Sequence, residues 1–202
     1  MVKSINAKNE KSEKTKYIFV DALKMCMKER AVDSITIKQI CEKSGLTRQT
    51  FYRNFMDKYH LINWYFDKIL FESFERMGSG DTIYEGLVRK FKFIKEEHLF
   101  FLTAFKSDDQ NSLKNHDFRL IVDFYCNLIK EKTGEAPQGE ILFLLEMYCK
   151  GSVYMTVNWV LGIIDVSEEK LAQLLLRAMP PELMELFKSL GVLGEYGNKT
   201  IN

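Results

Sequence analysis

The stretch 36–58, TIKQICEKSGLTRQTFYRNFMDK, concentrates side chains whose chemistry suits a polyanion. Within it, guanidinium, amide and hydroxyl groups follow one another closely: Arg48, Gln49, Thr50, Tyr52, Arg53 and Asn54. A guanidinium can pair with both acceptors of guanine, an amide can pair with adenine, and cations and hydroxyls bind phosphates. These residues therefore predict a surface that binds duplex DNA.

Two short helices joined by a tight turn must hold these groups in place. Apolar residues around Ile40 recur at helical spacing, and Gly45 stands where the first helix would end in a left-handed residue. Thr47 suits the N-cap of the second helix, and Phe51 and Phe55, four residues apart, form its buried stripe. The polar groups are then left outside, as in a helix that enters the major groove.

Individual roles follow from side-chain chemistry. Arg48 is predicted to contact a base edge, and Gln49 to read adenine or to act through water. Tyr52 and Arg53 are predicted to contact phosphate and sugar. Thr36 and Lys58 open helices, whose N-termini offer free N–H groups to phosphates; the alternative is that the whole set is merely a solvated face.

The pattern T-x-x-x-I-x-x-x-x-G-L-T-R-x-T-F-Y-R-N-F-x-D-K resembles the helix-turn-helix of TetR-type transcriptional regulators. The resemblance covers roughly residues 12–60, and its T-x-Y/F-x-x-F-x-x-K tail makes it specific. Gln49 departs from the family pattern, where small residues are frequent, so family base contacts do not transfer there. Together, residue chemistry and resemblance predict this DNA-binding set: Thr36, Lys38, Thr47, Arg48, Gln49, Thr50, Tyr52, Arg53, Asn54 and Lys58.

Charge and periodicity divide the chain. Residues 1–60 hold 13 Lys/Arg and 7 Asp/Glu, whereas the rest hold 16 and 21, so the basic excess lies at the N-terminal end. With only three prolines and little strand-like alternation, helical periodicity dominates. Asp57, Asp81 and Ser167 are predicted to cap helices.

The predicted fold is all-α: an N-terminal three-helix DNA-binding bundle followed by a larger C-terminal helical bundle, as the TetR resemblance implies. The predicted division is a flexible basic arm (1–11), the helix-turn-helix domain (12–58), a helical effector-binding and dimerisation domain (59–192) and a flexible tail (193–202). Residues 151–177 are also similar to the end of a TetR subgroup that includes activators of dihydroxyacetone kinase operons.

Other classes of protein find little support in the sequence. Three scattered histidines, and no phosphate-binding glycine loop or nucleophile motif, predict no enzyme, no cofactor and no metal site. The four cysteines lack C-x-x-C spacing and are predicted to be buried, reduced thiols, with redox sensing as the alternative. Without a signal peptide or an uninterrupted apolar span, we expect a cytoplasmic protein with no membrane partner.

The C-terminal part is rich in aromatic residues. TetR-like proteins commonly hold an effector pocket between these helices, and phenylalanine and tyrosine would suit an apolar or aromatic ligand. The alternative, which applies to most of these side chains, is that they belong to the plain core. The predicted pocket set is Phe101, Phe105, His116, Phe124, Tyr125, Tyr154 and Asn158.

The two helices predicted near 140–162 and 168–178 have wide apolar faces. In the TetR family the last helices usually form a dimeric four-helix interface, and two half-sites about 34–36 Å apart require a dimer. The predicted interface set is Tyr148, Gly151, Ser152, Met155, Trp159, Leu171 and Leu175.

These features predict a homodimeric regulator that binds a palindromic operator and is released from it by a small-molecule effector. The helix beginning at Asp57 is the predicted lever between the two sites. Two alternatives remain open: an activator controlled by a partner protein, and a helical adaptor that binds no DNA. An open C-terminal pocket would favour the small-molecule effector, and a fully packed core the partner protein.

Overall fold

The computed structural model of the protein describes residues 2–75, 80–109 and 111–194, with side chains from residue 12 onward. Every regular element in these ranges is a helix, which confirms the all-α fold, and a short 3-10 helix covers Val32–Ser34. The α-helices are α1 (Val2–Met27), α2 (Ile37–Ser44), α3 (Arg48–Asn54), α4 (Lys58–Phe74), α5 (Ile83–Glu96), α6 (His98–Phe105), α7 (Leu113–Thr133), α8 (Gly139–Val160), α9 (Glu168–Arg177) and α10 (Pro181–Ser189).

The first helix begins earlier than predicted. α1 starts at Val2, so the backbone of residues 2–11, predicted as a flexible arm, continues the helix that was expected to start at residue 12. No glycine or proline interrupts residues 2–27, and lysine and glutamate are good helix formers, so nothing local ends the helix. Of the tail predicted as flexible, residues 195–202 lie outside the described residues.

The chain forms two compact units. The first runs to Phe66 and also includes Leu99–Leu113; the second comprises Asp67–His98 and the residues from Lys114 onward. The division thus falls within α4, later than the predicted boundary after residue 58. All of α6 after His98 also belongs to the first unit, where the rings of Phe100 and Tyr65 pack edge to face with centroids 5.2 Å apart.

Aromatic packing fixes the orientation of α3 in the first unit. Phe19 of α1 contacts Phe51 and Phe55 edge to face, with centroids 5.2 and 6.3 Å apart, and all three side chains are at most 1% exposed. Such pairs add about 0.5–1.5 kcal/mol beyond the burial of their area. Because α1 holds this side of α3, the opposite side must face outward.

The second unit contains a buried ion pair among its apolar side chains. Lys90 Nζ of α5 lies 3.0 Å from Asp117 Oδ1 of α7, with side chains only 2% and 0% exposed. Nearby, Tyr125 is fully buried and stacks on Phe187 of α10. A charge removed from water in this way requires its partner, so this pair joins α5 and α7 through electrostatics as well as packing.

Two of the three predicted helix caps are confirmed. The Asp57 carboxylate accepts from the N–H of His60 at the start of α4, and Ser167 accepts from Lys170 at the start of α9. At α5 the prediction of Asp81 was wrong, because Thr82 forms a capping box with Glu85. The Asp81 carboxylate instead lies 2.8 Å from Arg89.

The four thiols are free, as predicted. Cys26, Cys41 and Cys149 are buried, whereas Cys126 is partly exposed. Burial raises the pKa of each thiol, that of Cys149 to about 12, which disfavours the nucleophilic thiolate. No helix in the described ranges combines the length and apolarity needed to cross a bilayer.

Candidate nucleic-acid interface

α2 and the turn after it have the predicted local geometry. Thr36 and Gln39 form a reciprocal capping box, in which each side chain accepts from the other residue's backbone N–H. Ile40 and Cys41 are buried. Gly45 ends the helix at φ +68°, and an added Cβ would meet nothing within 4 Å. Conformation, and not lack of space, therefore requires glycine here.

α3 begins at its predicted cap. The Thr47 hydroxyl accepts from the N–H of Thr50 at 3.1 Å, which satisfies a donor that the helix leaves free. Phe51 and Phe55 are buried on the inner side, as predicted. The first turn of α3 is thus fixed by a local hydrogen bond and its rotation by two rings.

The outer face of α3 consists of Arg48, Gln49, Tyr52 and Arg53, all exposed. Tyr52 is 58% exposed, with its ring edge against Phe51. Within the described residues, these four side chains make no hydrogen bond or ion pair. Two cations, an amide and a phenol on one helix face offer the donors that phosphates and base edges accept.

Other predicted contact residues have internal partners. The Asn54 amide donates to the carbonyl of Thr50 at 2.8 Å, and its oxygen is 3.5 Å from the Ser12 hydroxyl. Lys38 is exposed and forms a long ion pair of 3.8 Å with Glu42 one helical turn away. A pair so exposed costs little to exchange for another anion.

Lys58 is held more firmly than the sequence suggested. Its ammonium donates to the carbonyls of Asp33 and Ile35, both at 2.8 Å. Burial lowers the pKa of Lys58, and the nearby Asp33, Asp109 and Asp57 carboxylates oppose that shift. The side chain therefore ties the start of α4 to the segment before α2, and a phosphate contact would compete with these bonds.

Tyr59 strengthens the same junction. Its hydroxyl donates to the Asp33 carboxylate at 2.9 Å, and that carboxylate also accepts from Ser107 at 2.6 Å. Burial, with the bond to Asp33, raises the pKa of Tyr59 to about 12. The base of the helix-turn-helix is therefore braced by hydrogen bonds from α4 and from the segment after α6.

Comparison with known families agrees with this geometry. Residues 19–64 match the family described as "Bacterial regulatory proteins, tetR family", and residues 81–180 match a "Transcriptional regulator C-terminal region" of the TetR type. The chain belongs to the TetR family. It is therefore a DNA-binding transcriptional regulator with a TetR-type N-terminal domain and a C-terminal helical domain.

Two solved structures share the TetR fold. The "Dihydroxyacetone kinase operon activator DhaS" is 18% identical with a TM-score of 0.59, and the match covers 89% of this chain and 97% of that one. RolR, solved in complex with resorcinol, is 15% identical with a TM-score of 0.51, over 96% and 98% of the two chains. No curated protein sequence matches this TetR-family chain significantly.

The seven residues predicted for an effector pocket lie in different surroundings. Phe101 and Phe105 are buried in the first unit, in contact with each other through tilted rings. In the second unit, Tyr125 is fully buried and Tyr154 is 65% exposed. The four side chains thus differ in burial, and the effector pocket that they were predicted to line stays a prediction, because aromatic content alone does not identify which rings face a cavity.

The remaining three predicted pocket residues also differ in setting. The His116 ring nitrogen Nε2 is 2.5 Å from Asp67 Oδ1, which joins α7 to α4 within the second unit. The Asn158 carbonyl accepts from Ile163 just beyond α8, and its side chain is half-buried. Phe124 does line an open cleft of about 460 Å³ in the second unit.

That cleft lies between α4 and α7, and the predicted pocket set omits most of its lining. Its wall consists of Leu70, Phe71, Phe74, Glu75, Leu120, Asp123, Phe124, Asn127, Leu128 and Glu131. One signal was available: Leu120, Phe124 and Leu128 recur every four residues. The pairing of that stripe with the end of α4 depends on tertiary structure.

Of the seven predicted dimer residues, five lie on α8, and Leu171 and Leu175 lie on α9. Tyr148 is buried, and its hydroxyl donates to the Leu175 carbonyl at 3.2 Å. Ser152, Leu171 and Leu175 are buried in the same chain as well. These four side chains therefore pack in the core of their own chain, and the predicted dimer interface stays a prediction.

Gly151 and Met155 remain on the exposed face of α8, whereas Trp159 stacks on Phe91 and donates to the carbonyl of Val166. The same face carries residues that the prediction omitted. They are Phe143, Met147 and Tyr154, exposed by 63%, 61% and 65%. An exposed apolar surface of this kind on a helix is typical of an interaction site.

Proposed function

We propose that this TetR-family regulator is a cytoplasmic, homodimeric repressor that binds a palindromic operator and releases it when a small molecule binds its C-terminal unit. The observation that carries the proposal is the outer face of α3, where Arg48, Gln49, Tyr52 and Arg53 are exposed and make no hydrogen bond or ion pair in the described chain. The family supports a non-enzymatic role.

On DNA, the proposed division of labour follows from side-chain chemistry. Arg48 stands at the N-terminal end of α3, the end that reaches base edges in helix-turn-helix complexes, and pairs with guanine. Tyr52 and Arg53, one turn later, bind phosphate and sugar. Thr36, Lys38, Thr47, Thr50 and Asn54 are proposed as flanking contacts.

The proposed dimer contact is the exposed stripe of α8: Phe143, Met147, Gly151, Tyr154 and Met155. These residues recur every three or four positions and so share one side of the helix. Gly151 has open space where a Cβ would point, so a second helix can approach there. A second copy is the expected occupant, because operator half-sites one turn apart need two recognition helices.

A small-molecule effector is supported by the open cleft between α4 and α7. Because α4 contributes residues to both units, occupancy of the cleft can be coupled to the placement of α3. The coupling equals the ligand's preference for one dimer state over the other. The fold likeness to DhaS, an operon activator by name, keeps an activator controlled by a partner protein as the second candidate.

The decisive experiment is a mobility shift of the purified protein on its own upstream intergenic DNA across a salt series. We expect a saturable shift that weakens steeply with salt, because phosphate contacts release counterions. Scrambling either half of the palindrome should abolish it. Arg48→Ala should weaken binding, whereas Arg177→Ala, which removes the same charge from exposed α9, should not.

Dimerisation is tested separately by sedimentation equilibrium. Tyr154→Glu should convert the dimer to monomer and abolish the shift on the full palindrome. Leu99→Glu, at another exposed apolar position, is the control and should leave the dimer intact. A folded protein that gives no palindrome-dependent shift at low salt would overturn the repressor proposal and favour the adaptor.

A further inference from the structure

The α7 wall of the cleft carries two parallel stripes of different chemistry. Leu120, Phe124 and Leu128 form an apolar stripe, each one turn after the last. Asp123, Asn127 and Glu131 form a polar stripe at the same four-residue spacing, in which each residue lies three positions after a residue of the apolar stripe. On a helix these stripes lie side by side, so the wall is amphipathic along its length.

The α4 wall supplies aromatic faces. Phe74 is buried, and its ring centroid lies 5.2 Å from that of Phe124 across the cleft floor. Phe71 is 63% exposed at the rim, so its ring is open to a ligand. Glu75, also exposed, ends the same wall.

The charge of the lining has one sign. Glu75, Asp123 and Glu131 are its carboxylates, and no lysine or arginine is among the described residues that form it. None of the three carboxylates forms an ion pair or hydrogen bond within the described chain. By contrast, Glu168 and Glu169 of the same unit pair with Lys95 and Lys92. Among the residues that the structure describes, the cleft therefore combines an apolar floor with negative charge that no lining cation offsets.

We propose that this cleft binds an apolar cation, an ammonium or amidinium group attached to an aromatic or branched apolar body. The body fills the floor between Phe74 and Phe124, and the cation lies against Asp123 and Glu131. A cation over the ring of Phe71 adds a cation–π contact. The volume of about 460 Å³ falls in the range of small-molecule sites.

This inference deepens the proposed function, on which it rests for its link to DNA release, by naming the ligand class of the effector site. An anionic ligand is excluded by repulsion from the three carboxylates. A neutral ligand would leave those carboxylates without a role in binding. The charge of the ligand is thus the property to test.

The test uses three probes that share one body and differ in the head group: 4-phenylbutylamine, 4-phenylbutan-1-ol and 4-phenylbutyrate. Binding to the full-length protein is measured by calorimetry at pH 7 without DNA. We expect the amine, which is cationic at this pH, to bind at least tenfold more tightly than the alcohol, and the carboxylate not to bind. Equal affinity for amine and alcohol would overturn the proposal.

Variants locate the site. The double variant Asp123→Asn with Glu131→Gln should lower amine affinity about tenfold and leave alcohol affinity unchanged. Glu185→Gln, an exposed carboxylate on α10, is the matched control and should change neither. Amine affinity that survives the double variant would overturn the assignment, with far-ultraviolet circular dichroism confirming that the variant is folded.

Failure of the two proposals is distinguishable. Operator binding without ligand tests the regulator, and calorimetry without DNA tests the cleft. A protein that shifts its palindrome but shows no preference for the amine refutes the ligand class alone. A protein that binds the amine through Asp123 and Glu131 but shifts no palindrome supports the cleft and refutes the repressor.

Discussion

The outer face of α3 and the interior of the second unit use cations in opposite ways. Arg48 and Arg53 are exposed and make no ion pair in the described chain, whereas Lys90 is 2% exposed and lies 3.0 Å from Asp117. A cation with an internal partner stabilises the fold, and a cation that the fold leaves unpartnered is available to an external anion. Whether a cation stabilises the fold or can bind an external anion therefore depends on whether it has an internal anionic partner, and not on its residue type.

Lys58 stands between these extremes. It belongs to the DNA-binding domain and to the family pattern, yet its ammonium donates to two carbonyls, of Asp33 and Ile35. Its side chain is half-buried. The comparison therefore makes different predictions for cations that lie close together in sequence.

The largest effect is expected at the buried pair. Lys90→Met should lower the free energy of unfolding by about 3–5 kcal/mol, because it leaves the Asp117 carboxylate buried without its cation. Urea denaturation measures this loss. Lys92→Met is the control, since its pair with Glu169 is exposed and is worth about 0–1 kcal/mol. Similar losses in both variants would remove the distinction between buried and exposed cations.

The next effect concerns recognition by Arg48. Arg48→Lys keeps the charge but loses the two-donor fork that pairs with guanine. Discrimination between the operator and a base-substituted operator should fall by about 1–3 kcal/mol. The salt slope should stay the same, because the charge is retained. Mobility shifts on both duplexes across a salt series give both quantities; a reduced slope with unchanged discrimination would make Arg48 a phosphate contact.

A smaller effect separates Lys58 from Arg53. Lys58→Met should lower the stability of the first unit by about 1–2 kcal/mol, because the carbonyls of Asp33 and Ile35 lose a charged donor. Arg53→Met should leave stability unchanged and reduce the salt slope of operator binding by about one. Thermal unfolding and salt titration of both variants test this. The reverse pattern would place Lys58 on the DNA and Arg53 in the fold.

The smallest effect concerns a local feature present in both units. Thr47→Ala and Ser167→Ala each remove an N-cap and should each lower stability by about 1 kcal/mol. Thr47→Ser keeps the hydroxyl and should lower it little. Chemical denaturation of the three variants measures the loss, and an intact stability in Thr47→Ala would show that packing of Phe51 alone holds α3.

The predictions that succeeded depend on residues close together in sequence. Caps at Thr47, Asp57 and Ser167, the left-handed Gly45 and the buried pair Phe51 and Phe55 all act within one or two helical turns. The cap predicted at Asp81 was wrong because a neighbouring residue is the better cap. Thr82 caps α5, and Glu85, three residues later, completes the capping box.

Which side of α8 is buried in its own chain depends on long-range information. Tyr148 and Tyr154 lie on the same helix with the same chemistry, but only packing against α9 buries one of them and exposes the other. α8 is apolar on more than one side, so periodicity indicated a wide face without showing which part meets its own subunit. The proposed dimer stripe follows from that burial.

The sequence by itself determined that the chain is helical, where its helix-turn-helix lies and which side of α3 faces outward, because hydrogen bonds and side-chain spacing within a turn specify them. Tertiary structure decided that Lys58 binds carbonyls 23 and 25 residues away. It also decided that Glu75, just after α4, lines one apolar cleft together with Asp123 and Glu131 of α7. Such juxtapositions depend on which distant surfaces pack together, and burial of apolar area selects them over the whole fold.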